Sequence, residues 1–196
     1  MFENLFDAIL YDPVGNPRGI RKENIHILNG MAQDKEAECR RFEAAIRQAG
    51  GIDIQLLGIG ENGHMGFNEP FSPVASRTRE VHLTPSTRAA NARFFDDDID
   101  RVPPAALSMG IGTILEARKI ILIASTYNKA EAIKATVLGD PTERVPASLL
   151  QCHPDVTIFL TREAASGLPR VLTFENIPAS HTNSAIAGDS TAVTAL

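Results

Sequence analysis

Apolar positions along the chain fall into short runs separated by glycine, proline and asparagine breaks. Between Asp34 and Ala49, Cys39, Phe42 and Ile46 recur at three- and four-residue spacing. Acidic residues sit in the first turn and Gly50-Gly51 follows the last, which predicts a helix with one buried stripe. Ile52 to Gly58 is instead a nearly continuous apolar run, suited to a central parallel strand covered on both faces. Upstream, Ile25-His26-Ile27-Leu28 ahead of Asn29-Gly30 reads as a further short strand. The apolar patch Leu5 to Tyr11 is expected to pack on another part of the fold.

Ser76 to Leu83 reads as extended and runs into Thr84-Pro85, an N-cap with proline in the first turn of a helix over Ser86 to Phe95. Asp96-Asp97-Asp98 then forms a solvated loop. Ala105 to Ile114, with Gly110-Ile111-Gly112, makes a tight strand-to-helix connection. Lys119 to Ala124 reads as a buried strand, Lys129 to Leu138 as a helix and Val156 to Leu160 as a strand. Strands alternating with helices imply an α/β fold with a mostly parallel sheet. Residues 1–176 are expected to form one domain. Residues 177–196, rich in Ala, Ser, Thr, Asn and Gly without periodicity, are expected to be a tail lacking order.

Composition narrows the function classes. A chain of 196 residues can bury one sizeable core. Nothing approaches the ~20 consecutive apolar residues of a membrane span, and the first residues lack the pattern of a signal peptide, so the expected location is the cytoplasm. Cys39 and Cys152 are far apart and suggest neither a disulfide framework nor a zinc site. A net charge of -5 argues against general nucleic-acid binding, leaving a small molecule as the expected partner.

The chemistry concentrates in Leu56 to Pro70, whose loop holds four glycines, His64, two carboxamides and two carboxylates. Gly58-Ile59-Gly60-Glu61-Asn62-Gly63 matches the G-x-G-x-x-G spacing of dinucleotide sites, but Gly66 and Pro70 interrupt the helix such a site requires. His64 and Glu69 lack the helical spacing of a zinc pair, so no metal is expected. Acid–base work on a sugar remains: a histidine titrates near neutrality, and a neighbouring carboxylate fixes its tautomer and raises its basicity.

The same stretch resembles the signature of the glucosamine-6-phosphate deaminases, the amino-sugar-phosphate isomerases. Ser76-Arg77-Thr78-Arg79, Thr87-Arg88 with Asn91 and Arg93-Phe94-Phe95, Gly110-x-Gly112-Thr113, Asn128-Lys129-Ala130 and Ser148-Leu149-Leu150-Gln151-x-His153-Pro154 follow in that family's order. The resemblance covers roughly Phe2 to Leu160. It implies a Rossmann-like, mostly parallel sheet flanked by helices, and conversion of glucosamine or galactosamine 6-phosphate and water to a ketohexose 6-phosphate and ammonia, without a cofactor. His64 would handle the ring-opening proton with Glu69 and Asn62 beside it, and Arg93 and Lys129 would bind the phosphate. Arg79 matches a position used for an allosteric sugar phosphate in some hexameric members of the family, and a homo-oligomer is among the expected partners.

Two departures bear on that expectation. Asn62 stands where the family commonly has aspartate. The family's first strands, its Gly/Thr-rich phosphate loop and an Asp-Glu-Tyr segment supplying the C2 proton shuttle precede what matches Phe2, so the N-terminal strands are expected to be missing from this sequence. A sugar-phosphate-binding or regulatory paralogue and a 6-phosphogluconolactonase-like hydrolase are the alternative functions.

Overall fold

The computed structural model describes residues 24–169, 175–176 and 190–194. The apolar patch Leu5 to Tyr11 lies outside the described residues. Helix α1 spans Lys35–Gln48, where the Asp34 side chain accepts from the Ala37 N–H at 2.8 Å and so satisfies one open donor of the first turn. Strand β1, Ile54–Leu57, pairs in parallel with β4, Lys119–Ala124, which pairs in parallel with β5, Val156–Thr161. Antiparallel β7, Ser190–Thr194, and β6, Glu175–Asn176, complete the order β1-β4-β5-β7-β6. The sheet is thus mostly parallel with helices against it. Part of the segment assigned to a tail, Ser190–Thr194, is a strand of this sheet; the rest of 177–196 lies outside the described residues.

A separate antiparallel pair joins β2, Arg79–His82, to β3, Ala105–Ser108. Between them run α2, Pro85–Asn91, capped by Thr84, and 3-10 turns at Ala92–Phe94 and Ile99–Arg101. Helix α3, Ile111–Leu115, follows β3 directly, and α4, Ala130–Leu138, connects β4 to a 3-10 turn at Pro146–Cys152 ahead of β5. The strands and helices expected around the Thr84-Pro85 cap, Gly110-Ile111-Gly112, Lys119 to Ala124 and Val156 to Leu160 are all present.

The core lies on one face of the sheet. Leu57, Ile120, Leu122, Ile158 and Leu160 pack against Ile111 and Ile114 of α3, Ile133 of α4 and Leu149 and Leu150 of the 3-10 turn. On the opposite face Ile54, Leu56 and Ile123 are 59%, 58% and 52% exposed. Among the described residues β1 is therefore an edge strand with one face bare, not the doubly covered central strand its apolar run suggested. An unbroken apolar run reports what a strand can bury, not what covers it.

Ile25 to Leu28 also departs from expectation, since no strand forms there. Side chains of α1 take up backbone groups here and just beyond: Arg41 donates to the Ile27 carbonyl at 3.4 Å, and the Asn29 N–H donates to Glu38 at 2.8 Å.

A buried carboxylate ties α1 to the rest. Glu43 is 6% exposed and accepts from the Thr78 N–H at 2.9 Å, the Thr78 and Thr113 hydroxyls at 2.6 Å each, and Arg77 at 2.7 Å. Arg77 also forks onto Glu116 at 2.6 and 3.0 Å. Burial raises the Glu43 pKa, but these donors outweigh it and bring it from 4.5 down to about 2. A carboxyl depressed on folding contributes stability above its unfolded value and loses it as pH falls toward the folded value. The thermal midpoint of the chain is therefore expected to fall as pH drops from 4.5 to about 2. Glu43→Gln is expected to flatten that fall, and Glu43→Ala to cost about 3 kcal/mol at neutral pH in denaturant unfolding, because Arg77 and two hydroxyls lose a shared partner.

Candidate active site

Because β1 and β4 run parallel in register, with Leu57 opposite Leu122, the loops leaving their C-terminal ends emerge side by side. One carries His64 and the other Lys129, which is the end of a parallel sheet where ligands commonly bind. The segment Thr84–Phe94, projecting from between β2 and β3, supplies the facing wall. Together these elements enclose a cleft of ≈ 460 Å³ lined by Glu61, Asn62, His64, Thr87, Arg93 and Lys129 among others.

No helix follows the G-x-G-x-x-G stretch. The chain turns back on itself, with the Gly60 N–H donating to the His64 carbonyl at 2.8 Å and Gly63 at φ 80°. A Cβ on Gly60 would lie 2.2 Å from His64 Nδ1, so the glycine makes room for the imidazole. Asn68, fully buried, donates to the carbonyls of Met65 and Met109 at 3.0 and 2.8 Å, and the Ala147 N–H donates to the Gly63 carbonyl at 2.9 Å. The bonds to Met109 and Ala147 fix the loop to two other segments.

Within the loop Glu69 reaches His64 chiefly through Asn62. Asn62 Nδ2 donates to Glu69 Oε2 at 2.7 Å, and Asn62 Oδ1 lies 2.8 Å from His64 Nδ1, whereas the direct Nδ1–Oε2 separation is 3.6 Å. A carboxylate only accepts, so it draws the amide NH2 toward itself and turns Oδ1 toward the ring. An amide oxygen also only accepts, so Nδ1 carries the proton and Nε2 keeps its lone pair.

The charge states follow. Burial pushes the His64 pKa below 6.5 and Lys129 adds to this, against the opposing pull of Glu69. Burial raises the Glu69 pKa, but hydrogen bonds from Thr87 and Asn62, the nearby His64 and the Thr84 hydroxyl at 3.1 Å together lower it. At neutral pH the relay is a neutral imidazole, an amide and a carboxylate. Thr84 and Thr87 hold that carboxylate, a part the sequence alone did not disclose: Thr84 is legible only as a helix cap.

Arg93 and Lys129 both line the same cleft, and the Arg93 guanidinium sits 4.7 Å from the Phe94 ring centre. Lys129 is the N-cap of α4, an end that no side chain caps; the 3-10 turn Tyr127–Lys129 runs into it, and the Ala130 N–H donates to the Tyr127 carbonyl. The preceding loop holds Thr126 at φ 76° and ψ 151°, a conformation costly for a β-branched residue. Asn128 Nδ2 donates to Glu61 at 2.6 Å and joins this loop to the His64 loop.

Arg79 is not in the cleft. Its guanidinium donates to Asn68 Oδ1 at 2.9 Å and Ser72 Oγ at 3.2 Å, and it lines a shallower depression of ≈ 270 Å³ with Phe67, Phe71 and His82. His153 is structural: its Nε2 donates to the Ala117 carbonyl at 2.6 Å, and Nδ1 accepts from the Asp155 N–H at 3.1 Å. Cys39 is buried and Cys152 exposed, and both are free. Among the described residues no three His, Cys, Asp or Glu side chains converge as a metal site, and no helix is long and apolar enough to cross a membrane.

Residues 3–159 match the family described as glucosamine-6-phosphate isomerases/6-phosphogluconolactonase. A glucosamine-6-phosphate deaminase of Thermoanaerobacter pseudethanolicus is 52% identical over 169 residues, covering 86% of this chain and 63% of its own length. One from Halothermothrix orenii is 56% identical over 166 residues, covering 85% and 65%. A solved monomeric glucosamine-6-phosphate deaminase superposes with a TM-score of 0.73 at 49% identity, over 78% of this chain and 65% of that one. A 6-phosphogluconolactonase from Trypanosoma cruzi shares the fold, with a TM-score of 0.51 at 22% identity over 67% of this chain and 51% of its own. The chain spans slightly under two thirds of the length of the first of these relatives. By the matched profile and by identity over most of its length, the chain belongs to the family of glucosamine-6-phosphate isomerases and 6-phosphogluconolactonases.

Proposed function

We propose that this chain carries the ring-opening and phosphate-binding part of an amino-sugar-phosphate deaminase/isomerase, acting on glucosamine 6-phosphate or galactosamine 6-phosphate. The observation that carries this reading is the joint placement of an oriented, neutral imidazole and two cations on one cleft. Arg93 and Lys129 bind the phosphate, the first through a fork of donors and the second as a point charge at the start of α4. His64 Nε2 takes the proton of the anomeric hydroxyl and returns it to the ring oxygen, which opens the pyranose. Asn62 and Glu69 orient the ring and stabilise the transient imidazolium. Proton transfer between C2 and C1, and hydrolysis of the resulting imine to the ketohexose 6-phosphate and ammonia, complete the reaction. The expected setting is amino-sugar catabolism in the cytoplasm.

The relatives support a deaminase over a lactonase, since those at 49–56% identity carry the deaminase name while the lactonase structure is at 22%. Asn62 is compatible with the role usual for aspartate, because it passes the polarisation of Glu69 to the ring by hydrogen bonds while the charge stays 3.6 Å away.

Ammonia release and calorimetry with the full chain test the proposal. The expected result is binding of one of the two amino sugar phosphates, with turnover in protein that also carries the segment supplying the C2 proton shuttle. His64→Gln is expected to lower kcat by roughly a hundredfold or more with binding retained. Arg93→Ala and Lys129→Ala are each expected to weaken sugar-phosphate binding by about 2 kcal/mol, or ~30-fold in KM. Binding without ammonia release in that protein would assign the chain to sugar-phosphate binding alone. Absence of both, in a chain folded by circular dichroism, would refute the proposal.

The pH profile gives a second check. The base must be unprotonated, and burial lowers its pKa from the ordinary histidine value, so the acid-side midpoint of activity is expected below pH 6.5. A kcat/KM already halved at pH 7 would contradict it.

A further inference from the structure

Thr87 holds the Glu69 carboxylate but has been given no part in the reaction, and its placement is not that of a helix-terminal threonine serving its own helix. It is 4% exposed, and its backbone N–H is already satisfied by the Thr84 side chain at 3.2 Å. The Thr87 hydroxyl is turned outward from α2 and donates to Glu69 Oε1, eighteen residues away in sequence.

Thr84 cannot replace it. The single Thr84 proton lies within reach of Glu69 Oε1, Ser86 Oγ and Thr87 Oγ1 at 3.1, 3.0 and 3.0 Å, and it serves one of them at a time. Without the Thr87 hydroxyl, Oε1 would keep only that shared donor. The carboxylate could then rotate and release the amide of Asn62, which is held through Oε2.

Thr87 also belongs to the wall that bears a phosphate cation. Asn91 Nδ2 donates to the Thr87 carbonyl at 2.8 Å, and Arg93 follows two residues later on the same cleft. We propose that Thr87 is a positioning residue for the acid–base relay, tying the segment that bears Arg93 to the carboxylate that orients Asn62 and His64. Its catalytic meaning rests on the deaminase reading, whereas its hold on Glu69 does not.

The test uses the full chain, folded by circular dichroism, with Thr87→Val, which keeps the shape but removes the hydroxyl, and Thr87→Ser, which restores it. The Glu69 carboxyl carbon is followed by 13C NMR against pH, its signal identified by its loss in Glu69→Gln. In T87V the Glu69 midpoint is expected to rise by about one pH unit, the scale of one hydrogen bond to a charged group. With glucosamine 6-phosphate, in protein that also carries the C2 proton-shuttle segment, kcat is expected to fall roughly tenfold while KM stays within about twofold, because Arg93 and Lys129 are untouched. T87S is expected to restore both. Should the valine unfold the chain, Thr87→Ala removes the same hydroxyl with less bulk.

An unmoved Glu69 midpoint, or a failure of serine to restore it, would overturn the proposal. So would unchanged kcat in T87V beside an active wild type. Should no ammonia be released by any form while the midpoint moves and recovers as expected, the deaminase reading fails and the positioning role of Thr87 stands.

Discussion

The parallel pairing of β1 with β4 is the constraint on which the site depends. Residues as distant as His64 and Lys129 meet because Leu57 and Leu122 stand side by side and both strands end at the same edge of the sheet. The loops beyond them are then joined directly, by the hydrogen bond from Asn128 to Glu61. An antiparallel partner would have sent one of these loops to the opposite end. The core that keeps the pairing in place lies on one face, where Ile120, Leu122, Ile133 and Ile158 are almost wholly excluded from water.

Upon this frame sits a short polar chain from α2 to the imidazole. Threonine hydroxyls hold Glu69, Glu69 turns the amide of Asn62, and the amide sets the proton on His64 Nδ1. Each link relies on a group that only accepts or only donates in the direction used, so the orientation is determined from the carboxylate outward. A neutral Asn62 between two ionisable groups is therefore no break in the relay. It separates charge from the ring by one hydrogen-bonded step, leaving burial as the dominant influence on His64.

Much of the fold is legible in the chain because its signals are local. Asp34 caps α1 and Gly50-Gly51 follows it, Thr84-Pro85 starts α2, and β4 coincides with the apolar run Lys119 to Ala124. The concentration of His64, Asn62 and Glu69 in one loop is local too. What escapes such reading depends on chain segments brought together from afar. Ile25 to Leu28 has the composition of a strand, but Arg41 takes its Ile27 carbonyl and Glu38 the Asn29 N–H just beyond it. Nothing in the sequence around Arg77 points to Glu43, thirty-four residues away and buried against it. Thr87 discloses its bond to Glu69 only when α2 is seen to cross the loop.

The central claim is that Glu69 acts on His64 through Asn62, leaving a neutral ring protonated at Nδ1. The 15N chemical shifts of the His64 imidazole at pH 7, in uniformly labelled protein, address it most directly. The account predicts a protonated Nδ1 and an unprotonated Nε2, with Nδ1 losing that preference in Asn62→Ala. An imidazolium at pH 7, or a proton resident on Nε2, would contradict it.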